Sequence, residues 1–133
     1  MINWAELEAN RSQYERAFKT AKPFRHVAFE NFLNPETARR IEDGFDTALA
    51  HKNHASAKSH KDVFKKTGTP NVKLMTAEQA GFFDEINSPR FIAFLGEVTG
   101  IDPIFGDPEL RGGGLHSSVR DAFLNVHTDF NFH

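Results

Sequence analysis

Apolar residues recur at helical spacing near the start of the chain. Trp4, Leu7, Tyr14, Ala17 and Phe18 form a loose stripe that predicts a helix over 4–20, closed off by Pro23. "HVAFENFL" (26–33) places Val27, Phe29 and Phe32 among β-forming residues and predicts a short strand. In "NPETARRIEDGFDTAL", Asn34 is a good N-cap, Pro35 suits the first helical position and Glu36 favours the positive end of the helix dipole. A helix over 35–50 follows, with Ile41, Phe45 and Leu49 as its buried stripe.

The pattern then lapses. "HKNHASAKSHKDVFKKTGTP" (51–70) has many Lys and His and little to bury, so it reads as a flexible basic loop. A sharper reading makes it a basic flap over a pocket for an anionic substrate. "VKLM" (72–75) has the composition of a strand. Thr76 and Gln79 have capping-box spacing before a short helix through Phe82 and Phe83. Ser88-Pro89 opens another helix with Phe91, Ile92, Leu95 and Val98 as its apolar face, and Gly100 stops it. Near the end, "RGGGLHSSVR" and "AFLNVHTDF" read as two strands joined near Arg120-Asp121. Helices first and strands last predict an α+β fold in a single domain over 1–133.

Composition narrows the chemistry. A net charge of −2 gives no global attraction for nucleic acid or an anionic membrane. No apolar run is long enough for a membrane span, and the N-terminus lacks the basic start and apolar stretch of a signal peptide. The absence of Cys rules out disulfides, thiolate metal sites and cysteine nucleophiles, and fits a reducing cytoplasm. Any metal must therefore be held by His and carboxylate. His51, His54 and His60 are one candidate set, but no nearby carboxylate would orient their rings.

The chemistry concentrates in "FLNVHTDFNFH" (123–133). Strand alternation sends Asn125, His127 and Asp129 to one face, with Val126, Thr128 and Phe130 on the other. An imidazole and a carboxylate two residues apart can form two corners of a 2-His-1-carboxylate triad, which leaves positions on Fe(II) open. The same pair can also be a hydrogen-bonded couple at a strand end.

The stretch "DPELRGGGLHSSVRDAFLNVHTDFNFH" (107–133) resembles the Fe(II)- and 2-oxoglutarate-dependent dioxygenases, in their prolyl 4-hydroxylase-like branch. "FRHVAFENFLNPETARRIEDGF" (24–45) and "FLGEVTGIDPIFGDPEL" are similar to the segments that precede the barrel in that family. The resemblance implies a double-stranded β-helix, a jelly-roll-like barrel flanked by helices and incomplete in this chain. It implies His127 and Asp129 as iron ligands, with Fe(II) and 2-oxoglutarate as cofactors. The reaction it implies couples oxidative decarboxylation of 2-oxoglutarate to succinate with hydroxylation of a C–H bond in an unnamed substrate. The family's second iron-binding His and its basic co-substrate anchor come well after His-x-Asp. The expectation is thus the N-terminal part of such a domain, truncated after the motif and inactive as an isolated chain.

Other residues with suitable chemistry flank that pair. Asn125 shares the face of His127, and His116 would lie on the strand antiparallel to it. Each is a candidate co-substrate contact, with a partly exposed structural His as the other reading of His116. His133 lies too close to Asp129 to serve as the family's distal ligand, and neither Arg111 nor Arg120 sits where the family keeps its anchor. Gly112–Gly114 reads as a flexible lead into a strand, because no Lys-Ser/Thr follows to make a phosphate loop. Phe123, Phe130 and Phe132 read as core. Two further function classes stand beside the enzyme: a non-catalytic oligomeric binding module with a vestigial half-site, and a cupin-like metal binder using His127, Asp129 and His133 with another chain. Unpaired strand edges in a part-built barrel predict a homodimer formed chiefly through residues 112–133.

Overall fold

The computed structural model describes residues 1–49, 55–56, 63–69, 71–111 and 113–126. Among them the architecture is α+β. The elements in order are α1 (Trp4–Thr20), α2 (Pro35–Asp43), α3 (Phe45–Leu49), β1 (Ala55–Ser56), β2 (Val63–Thr69), a 3-10 turn (Val72–Leu74), α4 (Ala77–Ile86), α5 (Pro89–Thr99) and β3 (Leu115–Leu124). No helix among the described residues is long and apolar enough to cross a membrane.

The helical core forms where α1 crosses α5. Asn3 caps α1 by accepting from the Glu6 N–H. Leu7 and Tyr14, seven residues apart and so on one face, are buried. They pack with Ile2, Phe91, Phe94 and Val98, and Trp4, Val27, Phe29 and Phe32 close the cluster. The aromatic contacts are mostly edge-on or tilted, as ring quadrupoles favour. Trp4 meets Phe94 at 6.2 Å and 90°, and Tyr14 meets Phe29 at 4.9 Å and 79°. Arg90 covers Trp4 with its guanidinium 3.8 Å from the ring centroid.

The short strand expected over 26–33 is absent. Only an isolated bridge joins Ile2 to Leu33, and the Asn3 N–H donates to the Phe32 carbonyl. Phe29 and Phe32 enter the aromatic cluster from irregular backbone, so their burial satisfies the pattern that resembled a strand.

The single helix expected over 35–50 is two helices, divided at Gly44. Asn34 caps the first with Pro35 at its start, as the sequence predicts. The division has a packing cause. A Cβ at Gly44 would lie 2.8 Å from both Gln79 Nε2 and Thr76 Cγ2, so the backbone there runs against the start of α4. Gln79 is fully buried and satisfied on both sides. Its Oε1 accepts from the Thr76 N–H at 3.0 Å, and its Nε2 donates to the Ile41 carbonyl at 2.9 Å. The capping box read from Thr76 and Gln79 therefore also ties α4 to α2.

α5 keeps its expected bounds, with Ser88 as cap, Pro89 in the first turn and Gly100 left-handed at its end. Phe94, not part of the expected stripe, is buried beside Phe91 and Val98. "VKLM" is a 3-10 turn capped by Asn71, not a strand.

The reading of 51–70 as a basic loop is corrected over 63–69, which form β2. Val63, Phe64, Thr67 and Thr69 supply β propensity amid the lysines. β2 is the middle strand of an antiparallel sheet in the order β1-β2-β3.

The hairpin expected around Arg120-Asp121 is also corrected. β3 stays antiparallel to β2 on both sides of that point, from Thr69↔Leu115 to Val63↔Leu124. Phe64 and Lys66 are two apart on β2, whereas their partners Phe123 and Ser118 are five apart, so β3 carries three extra residues there. Asp121, at φ 65°, takes the left-handed conformation that this bulge requires. The turn signal at Arg120-Asp121 thus marks an excursion within one strand.

Candidate functional site

β3 is the strand that leads toward the His-x-Asp motif. His127, Asp129 and His133 lie outside the described residues, as do Phe130, Phe132, Gly112, His51, His54 and His60. Among the described residues, no group of three or more His, Asp or Glu side chains is arranged to hold a metal ion.

The two candidate co-substrate residues are described. His116 is opposite Gly68 on β2. A Cβ at Gly68 would fall 2.5 Å from His116 Nδ1, so the imidazole lies over bare glycine backbone. Any side chain at 68 would displace it. Asn125 is exposed and follows directly after β3.

The bulge changes which residues share a face. His116 and Phe123 have different parity along β3, which would put them on opposite faces of an uninterrupted strand. Their partners, Gly68 and Phe64, are four apart on β2, an even step, so His116, Ser118 and Phe123 face the same side. In the sequence Asn125 alternates with Phe123 and with His127. The odd number of extra residues brings His116 into phase with that series.

Phase does not bring the candidates together. Leu124 lies opposite Val63 and His116 opposite Gly68, five residues along β2, or about 17 Å. Asn125 is one residue further. A small dicarboxylate is far shorter than that, so Asn125 and His116 cannot contact the same co-substrate molecule. Arg111 pairs with Glu109 at 2.6 Å, and Arg120 is exposed on the bulge.

Sequence reasoning missed Glu85. Its Oε2 accepts from the Ile2 N–H at 3.0 Å and lies 3.3 Å from the Met1 amine, while its Oε1 accepts from Trp4 Nε1 at 2.9 Å. Burial alone would raise the Glu85 pKa. The Ile2 N–H, the Trp4 indole N–H and the Met1 ammonium outweigh burial and hold it below the ordinary carboxylate value. The partners are more than 80 residues away in sequence, so no local spacing announces them.

Two open hollows lie among the described residues. One, of about 340 Å³, lies between α4 and the 108 turn and is lined by Phe83, Asp84, Asn87 and Pro108. The other, of about 450 Å³, runs along α5 beside Gly96, Glu97, Ile101 and Ile104. Neither gathers convergent polar groups around an enclosed space. No model of a known protein family, no curated protein and no solved structure matches this chain.

Proposed function

We propose that this chain supplies the N-terminal part of an Fe(II)- and 2-oxoglutarate-dependent dioxygenase domain of prolyl 4-hydroxylase-like type, with His127 and Asp129 as two of the three protein ligands to iron. The observation that carries the proposal is the His-x-Asp pair in "NVHTDF", placed just beyond a long antiparallel strand. An imidazole nitrogen and one anionic oxygen suit ferrous iron, and their two-residue spacing suits one face of a strand. The bound metal would activate oxygen with 2-oxoglutarate. The protein's share is to orient those groups and exclude stray water. Helices interleaved in sequence with the strands of an antiparallel sheet are compatible with the flanked barrel that the resemblance implies.

The fit is partial. The third ligand and the basic anchor for the co-substrate have no counterpart among the described residues. Under this reading the 133-residue polypeptide by itself is expected to show negligible 2-oxoglutarate turnover. Succinate release measured against a metal-free control checks this. Release above that control, abolished by His127→Ala, would overturn the claim that the chain holds only part of the site.

A second reading, a non-catalytic binding module, draws on a different observation. Val119 in the bulge, Leu124 at the end of β3 and Val126 just past it are each exposed. Under that reading, Fe(II) binding would not depend on His127 or Asp129.

A further inference from the structure

Among the described residues the sheet ends at β3. One edge of β3 is taken by β2, and the other carries no strand among the described residues. β3 is ten residues long, with Arg120 and Asp121 as its two formal charges. Val119 is 61% exposed and Leu124 47% exposed, and Val126 just past the strand is fully exposed. An edge of this length and polarity is a template for another strand.

We propose that this edge is the contact of a symmetric dimer with a second copy of the chain, antiparallel and centred between Arg120 and Asp121. Charge supports that centre. A two-fold axis between adjacent residues of opposite sign sets Arg120 of each copy against Asp121 of the other, making two attractive pairs.

The bulge supports it independently. An antiparallel pair of identical edges in one continuous sheet has its axis perpendicular to the sheet, so opposed residues must come from like faces. Centring between 120 and 121 opposes Ser118 to Phe123 and Ser117 to Leu124 of the second copy. On β2, the partners of Ser118 and Phe123 are two apart, and those of Ser117 and Leu124 are four apart, so each pair comes from one face. An uninterrupted strand would oppose unlike faces in that register; the three extra residues make it possible. They also select the partner, because a straight foreign strand meets the break at 119–122 in mid-register. A second copy breaks at the same place. This inference does not rest on the iron reading and survives its failure.

The test is sedimentation of the 133-residue chain at about 50 micromolar, with two charge variants. Wild type is expected to be dimeric. Arg120→Asp opposes Asp to Asp, Asp121→Arg opposes Arg to Arg, and each alone should weaken the dimer about tenfold or more. Their equimolar mixture restores two attractive pairs and should form a heterodimer. Arg at the positive φ of Asp121 is strained, so a second variant keeps the test independent of charge. The chain has no Cys, and Ser117→Cys/Leu124→Cys should give an inter-chain disulfide under mild oxidation. A wild-type monomer, charge variants that remain fully dimeric, or oxidation that gives no inter-chain disulfide would overturn the proposal.

Discussion

Phe94→Ala is expected to lower stability by about 3–5 kcal/mol, a large share of what a domain of this size possesses. Phe94 is almost fully buried on α5 and touches three other rings. It meets Trp4 edge-on at 6.2 Å, lies tilted against Phe29 at 5.6 Å and stacks beside Phe91 at 6.3 Å. These neighbours come from α1, from the irregular 26–33 segment and from α5 itself, so removing the ring loosens three segments at once. The surrounding side chains are large and locked in mutual contact, which limits collapse into the space left. Urea denaturation followed by Trp4 fluorescence measures the effect directly. Phe105→Ala, at an exposed ring, is the control and should change stability by less than about 0.5 kcal/mol. Equal losses in the two variants would contradict the assignment of the core.

Glu85→Ala is expected to cost about 2–3 kcal/mol and to change how stability depends on pH. The carboxylate gathers two N–H donors and the Met1 amine, and its loss leaves the Ile2 N–H and the Trp4 indole N–H without their acceptor. Because its partners hold the folded-state pKa of Glu85 below the unfolded value, the folded state favours the ionised form. Its contribution is therefore complete above the unfolded pKa and is lost as pH falls through the folded one. Wild type should lose more stability than Glu85→Gln over that acid range, and the two curves should run parallel near neutrality. Parallel curves across the acid range would show that the carboxylate's charge contributes nothing to the fold.

Helix caps are legible in the sequence and contacts between distant residues are not, while "VKLM" has the composition of a strand but forms a turn capped by Asn71. Asn34, Thr76-x-x-Gln79 and Ser88-Pro89 are helix starts whose chemistry is complete within four residues, and each caps a helix as expected. Gly100 works the same way at a helix end. By contrast, nothing near Gly44 tells of Gln79, whose buried amide approaches it from another helix. Val27, Phe29 and Phe32 have the β-forming character of strand residues but are used by a helix–helix core, since burial and ladder pairing draw on the same residue types in a short segment. The lysines of 63–69 hid a strand whose partner lies about fifty residues ahead. Arg120-Asp121 was recognised as a change of direction, yet only the register with β2 distinguishes a bulge from a hairpin.

The candidate site follows the same division. His-x-Asp spacing and strand alternation are local, so His127, Asp129 and Asn125 could be named from the sequence. The relation of His116 to that series depends on the three extra residues of β3. Glu85 and Gly68 depend on partners that only the folded chain brings near.

Anaerobic titration of the 133-residue chain with Fe(II), in the presence of 2-oxoglutarate, tests the central claim most directly. Wild type should bind the metal weakly, and His127→Ala and Asp129→Asn should each reduce the affinity by about tenfold or more. His116→Ala, about 17 Å or more along the sheet from Asn125, should leave it unchanged. Fe(II) affinity unaffected by both the His127 and Asp129 substitutions would contradict the iron assignment.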